Sequence, residues 1–354
     1  MEPLMKNTLT NVETTPMTNK GRCHVPWSDE IWNRIDRAVH DECKRTRVAA
    51  KFLPIVPVNH CQLTVPSDTI LVGRQQKLSV READTVELIE LVAEFCLTRQ
   101  QVECEDDLMT AVTLATRAAN LLSQAEDIVL FQGRSAIEPG ENQHPIFRER
   151  KVTVKSGRAG IGLLDAPPAD TPNNPQVVPV PVLDSPNLLQ RWGENTFGAV
   201  ARAYSALQGG ERLAQAHYGP YALVLHYEIY ADTFAPLPTT LIMPADRVAR
   251  LVTDGFYSKG MHSCHKGMSA YDGGTQHGED THFYGTGTLR PNTGLLLSLG
   301  GNTADLVVAI DARTEFVTQD NDGDWLFRVF KRFALRLKDR SAVVRLEFAS
   351  GRPT

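Results

Sequence analysis

The sequence predicts an α+β fold, and three stretches carry that expectation. Asp106 to Phe131 reads as one long helix: an acidic cluster opens it, Leu108, Val112, Ala115, Ala119, Leu122 and Ile128 recur at helical spacing, and Gly133 stops it. Residues 63–86 change character. Pro66, Ser67, Asp68 and Gly73 punctuate β-prone pieces such as Thr69–Val72, which predicts a two-stranded excursion from the body. The C-terminal third alternates apolar and polar residues over 294–299, 305–310, 325–337 and 342–348, the pattern of a mixed sheet with one face buried.

The other elements follow in chain order. Ser28 is placed to cap a helix whose first turn holds Asp29 and Glu30. Its apolar stripe is Ile31, Ile35 and Val39 beside Trp32, with Arg34, Arg37 and Asp41 opposite, and it ends before Phe52-Leu53-Pro54. Such a stripe ordinarily packs on its own domain; a ligand groove is the functional alternative. A strand is expected over 86–97, a polar loop over 134–150, helices over 188–207 and 247–252, and a short buried strand over 221–225 after Gly219-Pro220. Seven prolines between Ala166 and Pro186 exclude helix there and suit an extended surface loop. Residues 257–287 are rich in Gly and His, without an apolar period.

Composition bounds the function. The chain has 354 residues, 42% of them hydrophobic, enough for a sizeable core, and a net charge of −5 that argues against a surface gripping nucleic acid throughout. No run approaches the length of a membrane span, and the Thr- and Asn-rich first twenty residues lack the apolar core of a secretory signal. The six cysteines show no CxxC spacing, which suits a reduced, cytosolic chain.

A catalytic constellation is not apparent. The sequence holds no GxGxxG after a strand, no phosphate-binding loop, no GxSxG and no HExxH. His262, Cys264, His265, His277 and His282, with Asp272, Glu279 and Asp280, bring metal-ligating groups into one glycine-rich loop, but their spacing matches no ligand pattern, and no metal is assigned. Arg328, Lys331, Arg332, Arg336 and Lys338 are either a phosphate-binding stripe or the solvated and subunit-facing side of strands.

Four stretches, in order, resemble the encapsulin shell proteins, which have the tailed-phage major-capsid fold. They are WSDEIWNRIDRAVHDECKRTRVAAKFLPI; VELIEL through VLFQG, with Glu126, Asp127, Val129 and Gly133 in the family's signature positions; GIGLL followed by YGPYALVL; and the closing run from LLLSLGG to VVRLEF. The resemblance implies a flexible tail (1–26), an N-terminal helix (27–53) and an E-loop (63–87) lying across a neighbouring subunit. It further implies a P-domain (88–220 and 300–354) built on the spine helix and interrupted by the proline-rich loop 166–186, and an A-domain (221–299) carrying the insertion 257–287. Tail, proline-rich loop and insertion exceed the usual family length.

The function so implied is self-assembly into an icosahedral, cytoplasmic nanocompartment, not catalysis. Its partners are further copies of the chain and a cargo enzyme, such as a peroxidase or ferritin-like protein, recruited by a short C-terminal peptide. The expected cargo groove holds Ile31, Ile35 and Val39 with Arg34 and Asp36 at its edges. The expected pore loop is Phe234, Ala235, Pro236, Leu237, Pro238 and Thr239. Some family shells hold a flavin on a tryptophan; the position near Gln100 has no aromatic, so no cofactor is expected. A phage capsid packaging DNA is the alternative reading.

Overall fold

The computed structural model describes residues 21–72, 78–167, 174–184, 190–209, 216–237, 241–252, 282–320 and 323–350. Helix α1 (Asp29–Thr46) leads into strand β1 (Ile55–Pro57), then β2 (Thr64–Val72), β3 (Leu78–Glu87) and β4 (Ile89–Leu97). Two short helices, α2 (Arg99–Glu103) and α3 (Glu105–Leu108), precede the long α4 (Thr110–Gln132). There follow α5 (Pro145–Arg148), β5 (Thr153–Ser156), β6 (Val177–Val180), α6 (Glu194–Leu207), β7 (Tyr221–His226), α7 (Tyr227–Asp232) and α8 (Pro244–Val252). The chain closes with β8 (Phe283–Thr286), β9 (Thr293–Ser298), β10 (Ala304–Gln319), β11 (Trp325–Leu337) and β12 (Val343–Phe348).

Two mixed five-stranded sheets form, in the orders β1-β10-β11-β4-β5 and β6-β12-β9-β7-β8. Strand alternation sets what each face meets. Ile89, Leu91, Ala93, Phe95 and Leu97 of β4 join the main core with α1 and α4. Strand β7 is buried on both sides: Ala222 and Val224 enter the main core, while Tyr221, Leu223 and Leu225 enter a second core under α6 and α8. The second sheet takes β6 and β12 from outside 221–299, so it crosses the expected A-domain boundaries. Among the described residues strands β2 and β3 pair only with each other, forming the expected arm.

Four expectations need correction. The long helix starts at Thr110, because Met109 takes a left-handed backbone (φ 50°) and the Glu105 carboxylate accepts hydrogen bonds from Ala111 N (2.8 Å) and Val112 N (3.2 Å). The acidic cluster is therefore a separate capping turn. The strand expected over 86–97 breaks at Leu88, whose N–H bonds Leu63 O (2.8 Å) and closes the base of the arm. The proline-rich stretch contributes an edge strand, β6, in which Pro179 is tolerated because only one neighbour, β12, pairs with it. The expected insertion ends in a real strand, β8, parallel to β7; residues 253–281 lie outside the described residues.

Candidate assembly and docking surfaces

Helix α1 is capped as the sequence requires, with Ser28 Oγ accepting from Ile31 N (3.4 Å). Ile35 and Val39 are wholly buried and Ile31 is 5% exposed. Small side chains at Ala111, Ala115, Ala118 and Ala119 of α4 belong to the same core, which lets two helix backbones approach closely. At the start of α1, Trp27 stacks on Phe327 (5.0 Å) and meets Trp32 edge-on (4.9 Å). The three residues expected to face a groove are thus committed to the chain's own core. Arg34 and Asp36 stay at the surface, paired with Asp106 (3.1 Å) and Arg22 (2.8 Å).

The signature positions 126, 127, 129 and 133 turn out to hold the body together. Glu126 and Lys331, each 1% exposed, form an ion pair at 2.5 Å. Arg47, just after α1, lies 3.4 Å from Glu126 and 2.9 Å from Asp311. Burial works against the charge of Arg47, but the carboxylates of Glu126 and Asp311 outweigh it and keep the guanidinium protonated. Asp127 accepts from Val48 N (2.8 Å) and Ala49 N (3.0 Å), pinning the turn after α1 to the spine. Val129 is a core residue.

Burial pushes the Asp127 carboxyl up to about 7, helped by the Glu126 charge and opposed by the two backbone donors and Lys331. The unfolded value is about 4, so between pH 4 and 7 the folded chain holds a proton that the unfolded chain has released. Asp127's contribution to stability therefore falls as pH rises through that window. Comparing denaturation midpoints at pH 5 and 8, Asp127→Asn is expected to remove a downward step that the wild type shows; equal steps in both would refute this.

Gly133 (φ 65°, ψ −151°) occupies backbone space closed to L side chains. A Cβ there would lie 2.2 Å from Gly162 N, and one on Gly162 would lie 2.3 Å from Gly133 N. The GIGLL run is thus the surface on which the spine helix ends. Gly133→Ala should cost about 3 kcal/mol or more; an unchanged thermal midpoint would show that this contact is not close.

The basic stripe is neutralised from within. Arg328 pairs with Glu315, Arg332 with Glu90, and Lys331 with Glu126, while Arg336 and Lys338 share Asp305. No row of free cations is left among these five for phosphates: Lys331 and Lys338 are buried and the three arginines half-buried, so they act as internal ion-pair partners and not as a solvated face.

At the expected pore loop, Phe234 is 45% exposed and packs on Tyr230 (4.9 Å). The Asp232 carboxylate receives Arg191 N, Trp192 N and Gly193 N, and Gln190 Nε2 donates to Ala235 O, which anchors the start of the loop. Pro236 is exposed and Leu237 half-buried; Pro238 and Thr239 lie outside the described residues. So do His262, Cys264, His265 and His277; His282 Nδ1 meets Tyr284 Oη at 3.2 Å. Among the described residues no helix is long and apolar enough to cross a membrane.

Comparison with known proteins agrees with this arrangement. The Linocin_M18 family model, described as "Encapsulating protein for peroxidase", matches residues 17–146. The type 1 encapsulin shell protein EncA of Myxococcus xanthus (strain DK1622) is 23% identical over 346 residues, covering 93% of this chain and 96% of the relative. Among solved structures, the virus-like particle of Pyrococcus furiosus superposes with TM-score 0.54 at 17% identity, over 90% of this chain and all (100%) of that one. The capsid of Myoviridae phage XM1 gives 0.51 at 11% identity, over 85% and 91% of the two chains. The fold is that of phage capsids and virus-like particles, and residues 17–146 resemble the family described as encapsulating proteins.

Proposed function

We propose that the chain is a structural protein whose copies close into an icosahedral compartment around a cargo enzyme. The observation that carries this reading is the arm. Among the described residues, strands β2 and β3 pair only with each other, and β3 is exposed at Ser79, Val80, Arg81, Glu82, Asp84, Thr85 and Glu87; such a ribbon is marginal alone. Burial for it has to come from another copy, and one heterologous contact repeated under rotation closes into a shell. The neutralised basic stripe favours a protein content over DNA.

Cargo would dock through a short C-terminal peptide along the accessible side of α1, where Arg34 and Asp36 lie, with Ile31, Ile35 and Val39 as the packed floor beneath. The pore would be framed by the loop from Phe234 to Thr239. Co-expression with a reporter bearing the C-terminal segment of an enzyme encoded nearby tests cargo capture. The reporter is expected to co-sediment with particles and resist added protease. A reporter that sediments alone would refute capture by that tail.

A further inference from the structure

We propose that the arm of one copy docks on the β5 edge of another, an acidic strand on a basic one. Strand β5 is the terminal strand of its sheet, so among the described residues one row of its backbone groups has no partner strand. The segment around it concentrates positive charge on a chain of net charge −5: Arg148, Arg150, Lys151, Lys155 and Arg158 are all exposed. The acid among them, Glu149, is paired with Lys151 at 2.8 Å. Among the described residues no carboxylate forms an ion pair with Arg150, Lys155 or Arg158, in contrast to the paired cations of β11. Beside this edge lies an open, mostly apolar hollow of about 310 Å³, lined by Ile137, Phe147, Val152 and Val154 with Arg150 at its margin. A free strand edge, a pocket for one apolar side chain and unpaired cations together fit an extended acidic strand carrying a single aliphatic residue.

Strand β3 has that chemistry. Among the described residues no strand pairs with its outer edge, and its exposed side chains include Glu82, Asp84 and Glu87 against Arg81. Val80 is 55% exposed, an aliphatic group left uncovered by the described residues. Opposite net charges on the two strands favour this pairing over arm-to-arm or edge-to-edge contact, where like charges would meet.

The inference rests on the shell reading but can fail separately from it. Glu82→Cys and Arg150→Cys, combined in one chain and oxidised within intact particles, should link chains into ladders on non-reducing gels. Each single variant controls for the native cysteines. In a second arm, Arg150→Glu with Lys155→Glu should lower particle yield about tenfold or more. Adding Glu82→Lys and Asp84→Lys should restore it. Wild-type particles with no double-variant crosslinks, or with normal yield in the charge-reversed chain, would overturn the arm-to-edge contact and leave the shell standing. Absence of wild-type particles would overturn the shell itself.

Discussion

Deleting Ser67–Val80 is expected to abolish closed particles while leaving a soluble, cooperatively folding body. The base of the arm survives this deletion: Val65 and Leu88 keep their cluster with Val307 and Ala334. Beyond the hairpin's own ladder, the body loses the hydrogen bond from Ile70 N to Lys338 O (3.0 Å), worth about 1 kcal/mol. Against that, β3 loses its pairing strand from Ser67 onward and its exposed Val80, so the arm can no longer present an ordered ribbon to a neighbour, and in a shell that loss recurs in every copy. Particle yield should fall by about two orders of magnitude or more, with the circular dichroism of the body retained. Normal particles from the deleted chain would show that assembly does not depend on the arm.

The second large effect is expected from Ile31→Asp combined with Ile35→Asp. Both positions are buried against α4 and the first sheet, and the buried cations Arg47 and Lys331 are already paired with Glu126. An unpaired buried carboxylate costs several kcal/mol, and two on one turn of helix exceed what α1 gains from its aliphatic stripe. The helix should detach, taking with it the hold of Arg47 on Glu126 and the docking floor proposed for cargo. Hydrogen exchange across 29–46 should accelerate and cargo should no longer co-sediment. Continued protection of that segment would mean that the stripe does not pack as described.

Much of this was legible in the sequence where one local periodicity decides the element. The spacing of Ile31, Ile35 and Val39 fixed a helix and its buried face, and Pro66, Ser67 and Asp68 marked the arm. The start of the long helix was not legible. Glu105 looks like a first-turn acid until its side chain is seen closing back on Ala111 and Val112. Nor could the basic stripe be resolved. The partner of Arg332 is 242 residues away at Glu90, brought adjacent only by pairing of β11 with β4. Edge strand β6 was hidden by Pro179, since proline counts against a strand until one knows that the strand has a single neighbour. Glu126 and Asp127 were recognisable as signature letters, but their work on Lys331, Arg47 and the turn after α1 is visible only in three dimensions.

Size measurement of the purified chain bears most directly on the central claim, that copies of this protein enclose a volume. Light scattering coupled to size exclusion, with negative-stain images of the same fraction, should show a megadalton species of round, hollow particles. A stable monomer or dimer at micromolar concentration would contradict the account.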